Sequence, residues 1–153
     1  MNNINTIIEH AEKYCKSHGA RLTIKRKQVL SSLIQSEKAL SAYDVIDLCE
    51  KNFDEKFPAM SVYRILEFLE NEKLVHKLKL ANKYVACSHI TCKHDHGVPQ
   101  FLICGVCDQV KEISINQSIM SELKNGVEDA GFQLVSPQLE MNCICNSCLE
   151  KAA

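Results

Sequence analysis

The sequence predicts an α+β protein: an N-terminal winged helix-turn-helix followed by a small mixed α/β domain. Three observations predict it. Apolar stripes at helical spacing recur four times through residue 70, and two short alternating runs follow them. Two C-x-x-C pairs, Cys104/Cys107 and Cys145/Cys148, bracket a strand–helix–strand pattern. Between them the halves share a joint dense in soft and borderline ligands: His76, Cys87, His89, Cys92, His94, His96 and Glu112. The expected division is residues 1–86, a ligand-rich hinge at 87–98, and residues 99–153.

Composition narrows the class before any motif is used. Hydrophobic residues at 46% and charged residues at 24% argue against disorder. No apolar run approaches the ~18 residues of a membrane span, and Met1-Asn2-Asn3-Ile4-Asn5 lacks the layout of a signal peptide. A cytoplasmic location is therefore expected, where thiols stay reduced. Nine cysteines there favour metal binding over a disulfide framework, and an odd number cannot pair completely. The first half is weakly basic and the second weakly acidic. A pI near 6.6 does not point to nucleic acid by itself, so that reading needs a motif. No internal repeat and no low-complexity run stands out. No G-x-S-x-G, H-E-x-x-H or phosphate loop appears, which leaves a zinc or thiol enzyme as a distant alternative.

The first helix is expected over residues 4–18, where Ile4, Ile7, Ile8 and Ala11 share a face that Tyr14 and Cys15 continue, with Gly19 as the stop. Cys15 and His18 sit three apart, as a packed thiol and an exposed imidazole or as a ligand pair. Thr23 caps the second helix, whose buried face is Val29, Leu30, Leu33 and Ile34. Lys25, Arg26 and Lys27 fall in its first turns, either a solvated basic face or a phosphate-contacting one, and Arg21 just before them joins that candidate set. Ser41-Ala42-Tyr43-Asp44 has capping-box form and opens a stripe of Ala42, Val45, Ile46 and Cys49, which makes Cys49 a core residue. Residues 52–58 are a polar connection. In residues 60–70, Val62, Ile65, Leu66 and Leu69 face inward and Ser61, Tyr63 and Arg64 point elsewhere. The second helix of a helix-turn-helix presents such N-terminal residues to base edges, and arginine can bind guanine O6 and N7 together. Periodicity alone allows Tyr63 and Arg64 to be plain surface residues. Residues 74–80 and 83–86 alternate like two strands about an Ala81-Asn82 turn, a wing made basic by Lys77, Lys79 and Lys83.

Beyond the joint the cysteines carry the chemistry. Each C-x-x-C supplies two sulfurs from one turn, and Zn²⁺ in structural sites takes four ligands in a tetrahedron. One such motif alone could be a redox pair; two in one chain read as a structural Cys₄ zinc formed by Cys104, Cys107, Cys145 and Cys148. The gap between the pairs is long enough to contain folded structure: a strand at 110–113, a helix with Ile119, Leu123, Val127 and Ala130 ended by Gly131, and a strand over 132–141 that Pro137 bulges or confines to an edge. Cys143 sits beside the second pair, as a competing ligand or a spectator.

Arg21-Leu22-Thr23, the Ser61-Val62-Tyr63-Arg64 helix, the Lys93-His94-Asp95-His96 cluster and Cys104-x-x-Cys107 resemble the ferric uptake regulator family, in the same order and over nearly the whole chain. Ser41-Ala42-Tyr43-Asp44, Val75-His76-Lys77 and Tyr84-Val85-Ala86-Cys87 resemble its zinc-uptake branch, since a thiolate at position 87 suits zinc better than Fe²⁺. The resemblance implies a dimer, with residues 99–153 as the dimerisation domain, bound to a near-palindromic double-stranded DNA operator. It implies a second, regulatory zinc held by His76, Cys87, Glu112 and one histidine of the cluster, His96 with His94 in reserve, so two zinc ions per protomer. It matches Tyr43 and Arg64 to residues that touch bases. The function implied is a zinc-responsive repressor of zinc uptake genes, with no membrane and no small organic substrate as partner. A regulator responding to iron, manganese or peroxide is the alternative.

Overall fold

The computed structural model describes residues 3–88, 90–91 and 99–152. It divides into two compact units, Met1–Cys92 and Lys93–Ala153.

The first unit is built on four helices, α1 (Ile4–Ser17), α2 (Ile24–Gln35), α3 (Ala42–Phe53) and α4 (Ala59–Asn71). Three begin on side chains that satisfy a first-turn N–H. Asn3 accepts from Asn5, Thr23 Oγ1 accepts from Arg26 at 3.4 Å, and Ser41 with Asp44 closes the expected capping box at 3.1 and 3.0 Å. The fourth starts after Pro58 without a side-chain cap. Their inward residues, Val29, Leu30, Val45, Val62, Leu66 and Leu69, form one apolar cluster. Cys15 and Cys49 are both wholly buried in it, and the Cys49 Sγ lies 3.5 Å from Ser32 Oγ. Burial pushes both thiols above their ordinary range, so they serve the core as neutral groups. His18 stays exposed and bonds the Tyr14 carbonyl at 2.9 Å, which separates it from Cys15 in role.

The wing is an antiparallel pair, β1 (Val75–Leu78) and β2 (Lys83–Ala86), with His76 opposite Val85. A bridge from Leu40 to Tyr84, with N–H···O distances of 2.9 and 2.7 Å, adds a third short rung that sequence patterning did not suggest. The first wing strand is shorter than the alternation over 74–80 implied. Asn82 adopts a left-handed φ of 52°, so residues 79–82 form the turn and Leu80 sits 84% exposed at its tip.

The second unit holds a three-stranded sheet in the order β4 (Val110–Ser114), β3 (Pro99–Cys104), β5 (Glu140–Cys143), with α5 (Gln117–Asp129) between β4 and β5 and α6 (Asn146–Ala152) at the end. The central strand β3 is antiparallel to β4 and parallel to β5. The strand anticipated over 132–141 is corrected: β5 starts only at Glu140. Pro137 has no N–H for a ladder. The buried Gln100 side chain takes the segment's other groups, accepting from the Leu139 N–H at 2.6 Å and donating to the Pro137 carbonyl at 3.1 Å. No helix among the described residues is long and apolar enough to cross a membrane.

Candidate metal centre and nucleic-acid interface

Because β3 and β5 run parallel in the register Cys104↔Cys143, their C-terminal ends lie at the same edge of the sheet. Cys104 closes β3. The tight turn that follows returns Asp108 N–H to the Cys104 carbonyl at 3.0 Å, with Asp108 at a left-handed φ of 62°, and brings Cys107 back beside Cys104. On the neighbouring strand the chain leaves β5 at Cys143, places Cys145 two residues on, and begins α6, whose first turn returns Cys148 N–H to the Cys145 carbonyl at 3.0 Å. All four sulfurs fall within 4.8 Å of one another, and Cys104–Cys148 and Cys107–Cys145 are each 3.8 Å apart.

Those distances fit zinc. Tetrahedral zinc with Zn–S of about 2.3 Å has a sulfur–sulfur edge of roughly 3.8 Å. The four residues are free thiols, so no disulfide competes for them. The Cys145 N–H aimed at Cys104 Sγ at 3.4 Å, aided by the N–H groups of Cys107 and Val106, pulls the Cys104 thiol down to about 6, a thiolate near neutral pH. Hydrogen bonding to the Cys145 thiol, then burial, pushes Cys148 up to about 12. Cys143 lies outside the four-sulfur group; its carbonyl accepts from Gly105 N–H at 2.9 Å.

In the first unit, His76 and Cys87 are brought together by strand geometry. His76 pairs with Val85 across the wing, and Cys87 N–H extends the ladder to the Leu74 carbonyl at 2.9 Å. Period-two alternation puts Val85 and Cys87 on one face, so His76 and Cys87 are diagonal neighbours. Their ligand atoms lie within 4.8 Å of each other, and both side chains are half-buried. Glu112 stands half-buried on β4 in the second unit, opposite Phe101. His94 and His96, with His89 and Cys92, lie outside the described residues.

The residues considered for DNA divide by what holds them. Tyr43, in the first turn of α3, is 64% exposed, Arg64 of α4 is exposed, Tyr63 is 37% exposed and Ser61 is half-buried. Arg21 and Lys25 are exposed. Arg26 is engaged internally: its guanidinium lies 3.7 Å over the Phe68 ring and donates to the Arg21 carbonyl at 2.6 Å. Lys27 pairs with Glu12 at 3.0 Å. The basic cluster at the start of α2 therefore spends part of its charge on the fold. Met60, passed over by the sequence reading, is 65% exposed in the first turn of α4. Its place outside the Val62, Leu66, Leu69 stripe was the available signal.

The zinc uptake regulation protein of Escherichia coli (strain K12) is 34% identical over 155 residues, covering 96% of this chain and 84% of that protein. A solved zinc uptake regulator complexed with zinc and DNA superposes with a TM-score of 0.85 at 28% identity, over 100% of both chains. Holo XcZur matches with a TM-score of 0.78 at 31% identity, over 95% of this chain and 99% of that one. The profile of the Ferric uptake regulator family matches residues 17–142, and this chain belongs to that family.

Proposed function

We propose that this chain is a zinc-responsive, DNA-binding transcriptional repressor of zinc uptake genes that works as a dimer on a palindromic operator. The observation that carries this reading is the likeness, over the full length of both chains, to a zinc uptake regulator solved with zinc and DNA. The protein acts as a regulator in the cytoplasm and not as an enzyme. Residues 1–86 read DNA, 87–98 form the hinge, and 99–153 hold the structural zinc and the dimer contact. In the second unit α5 has no buried residue, and Ile119, Leu123, Val127, Ala130 and Phe132 line an open apolar groove. A second copy covers that face.

Each protomer takes two zinc ions. Cys104, Cys107, Cys145 and Cys148 hold the structural one, and His76, Cys87, Glu112 and His96, with His94 in reserve, hold the regulatory one. Bound zinc supplies a divalent charge that joins imidazole, thiolate and carboxylate in one ligand sphere. A ligand set drawn from both units makes their orientation depend on zinc occupancy, and so the spacing of two recognition helices about one turn of DNA apart. Driving such a switch from 1:99 to 99:1 takes about 5.5 kcal/mol of differential binding, and zinc sites release ~10–16 kcal/mol in favourable peptides. The Cys87 thiolate favours zinc over iron or manganese as the sensed metal. Tyr43, Ser61, Tyr63 and Arg64 face bases, while Arg21, Lys25 and Arg26 border the phosphates.

The test is mobility shift on a palindromic duplex with zinc and with a chelator that leaves the Cys₄ ion in place. Binding only with zinc is expected, and equal binding in both would overturn the reading. Cys87→Ser should abolish the zinc response and lower the zinc content from two ions to one, with the helical signal unchanged.

A further inference from the structure

We propose that Met60 is a base-reading residue that packs on the C5-methyl group of a thymine in the major groove, one or two base pairs from the guanine taken by Arg64. The inference rests on the DNA-binding reading and adds a determinant of sequence preference to it.

Met60, Tyr63, Arg64 and Glu67 follow one another at i, i+3, i+4 and i+7, so they share one face of α4, opposite the buried Val62, Leu66 and Leu69. Exposed side chains on that face change character along the helix. Glu67 and Glu70, both exposed, put carboxylates towards its C-terminal half, where a phosphate backbone would be repelled. Arg64 and the apolar Met60 occupy the first turns, so the N-terminal end is the one that can enter a groove. Met60, on the face turned away from the core stripe, leaves 65% of its surface in water. It contributes little to the fold there.

The major groove offers an apolar partner for such a side chain at one place, the thymine methyl. An unbranched thioether can adapt to it without a fixed rotamer. Four residues of helix rise about 6 Å, close to two base steps of roughly 3.4 Å, which sets the expected distance between the thymine and the guanine. Loss of one methyl contact corresponds to about 0.8 kcal/mol, or roughly fourfold in affinity per half-site.

The probe is a palindromic duplex selected from a random library by zinc-loaded full-length protein, then remade with each symmetric pair of thymines replaced by deoxyuridine. For the wild type, one pair should weaken binding roughly fourfold per half-site. Met60→Ala should bind the thymine duplex more weakly by the same factor and be indifferent to uracil at that pair, with its salt dependence unchanged because phosphate contacts remain. Met60→Leu should restore the discrimination. The proposal is overturned if no pair distinguishes uracil in the wild type, if Met60→Ala binds like the wild type, or if Met60→Ala keeps the uracil penalty. Failure of wild-type protein to select any duplex would sink the underlying DNA reading, and this proposal with it; that result appears before any substitution is made.

Discussion

The two units are held together by different means. In the first, four helices bury Leu30, Val45, Val62, Leu66 and Leu69 completely or nearly so, and even its thiols Cys15 and Cys49 are spent as core. In the second, Phe101 and Cys104 are the buried apolar residues among those described, and Gln100 is buried with them. Phe132 and Val135 are 73% and 94% exposed there. An apolar core that small stabilises little, since a fully buried side chain is worth about 1.5–3 kcal/mol. The first unit can stand on the hydrophobic effect; the proposed zinc at the Cys₄ edge and the proposed second copy at α5 would supply what the second unit's own apolar core does not.

The most severe break of this comparison is Cys104→Ser. A structural zinc contributes ~10–16 kcal/mol in peptide systems, as much as the ~5–15 kcal/mol of a whole domain. Removing one ligand should therefore unfold the second unit and spare the first. Hydrogen exchange followed by mass spectrometry on the full chain reads both at once: amides of residues 99–152 should lose protection, while those of α2 to α4 keep it. Zinc content should fall by at least one ion, since unfolding also displaces Glu112 from the proposed regulatory set. Retained protection around β3 and β5 would mean that the sheet needs no metal.

A second pair of changes acts on the apolar side. Leu66→Ala opens a cavity in the first core and should cost about 2–5 kcal/mol in urea unfolding, with zinc content unaltered. The same truncation at Leu123, which is 41% exposed on α5, should leave monomer unfolding nearly as it was. It should instead weaken the dimer, roughly tenfold or more by sedimentation, since the proposed partner would cover the surface that Leu123 leaves exposed. If Leu123→Ala lowered stability and spared the dimer, the groove would belong to the chain's own packing.

What could be read from the residues follows the same division. The four helices of the first unit were legible because each buries one stripe against its neighbours, and the period of Val62, Ile65, Leu66 and Leu69 states that directly. The Cys₄ group was legible because ligand spacing is chemistry carried by local turns. The central strand β3 is not legible locally, because an apolar run as short as Phe101-Leu102-Ile103-Cys104 has no period that separates a buried strand from a helical segment. The start of β5 at Glu140 depends on Gln100, a partner nearly forty residues away, and no local pattern reveals such a bond. The stripe on α5 was seen, but Ile119 and Leu123 have the same spacing whether they face their own core or another molecule. Exposure distinguishes the two cases, and sequence does not carry it. Among the candidate ligands, the wing register makes His76 and Cys87 neighbours, whereas the choice of His96 over His94 remains a proposal carried by family resemblance.

The smallest expected effect separates the two kinds of stability most finely. Ser41 caps α3 and Asn116 caps α5, the latter accepting from Ile119 N–H at 3.0 Å. Replacing either with alanine removes the same kind of bond and should cost about 1 kcal/mol. In the first unit that loss has one place to go, the urea midpoint. In the second, we propose that folding and zinc binding are one equilibrium, and the same loss should then surface as weaker zinc, roughly fivefold in competition with a chromogenic chelator. Ser41→Ala should leave zinc affinity at the Cys₄ site untouched, because no ligand of that site belongs to its unit. Equal chelator curves for Asn116→Ala and the wild type would show that the second unit is folded before it meets its metal.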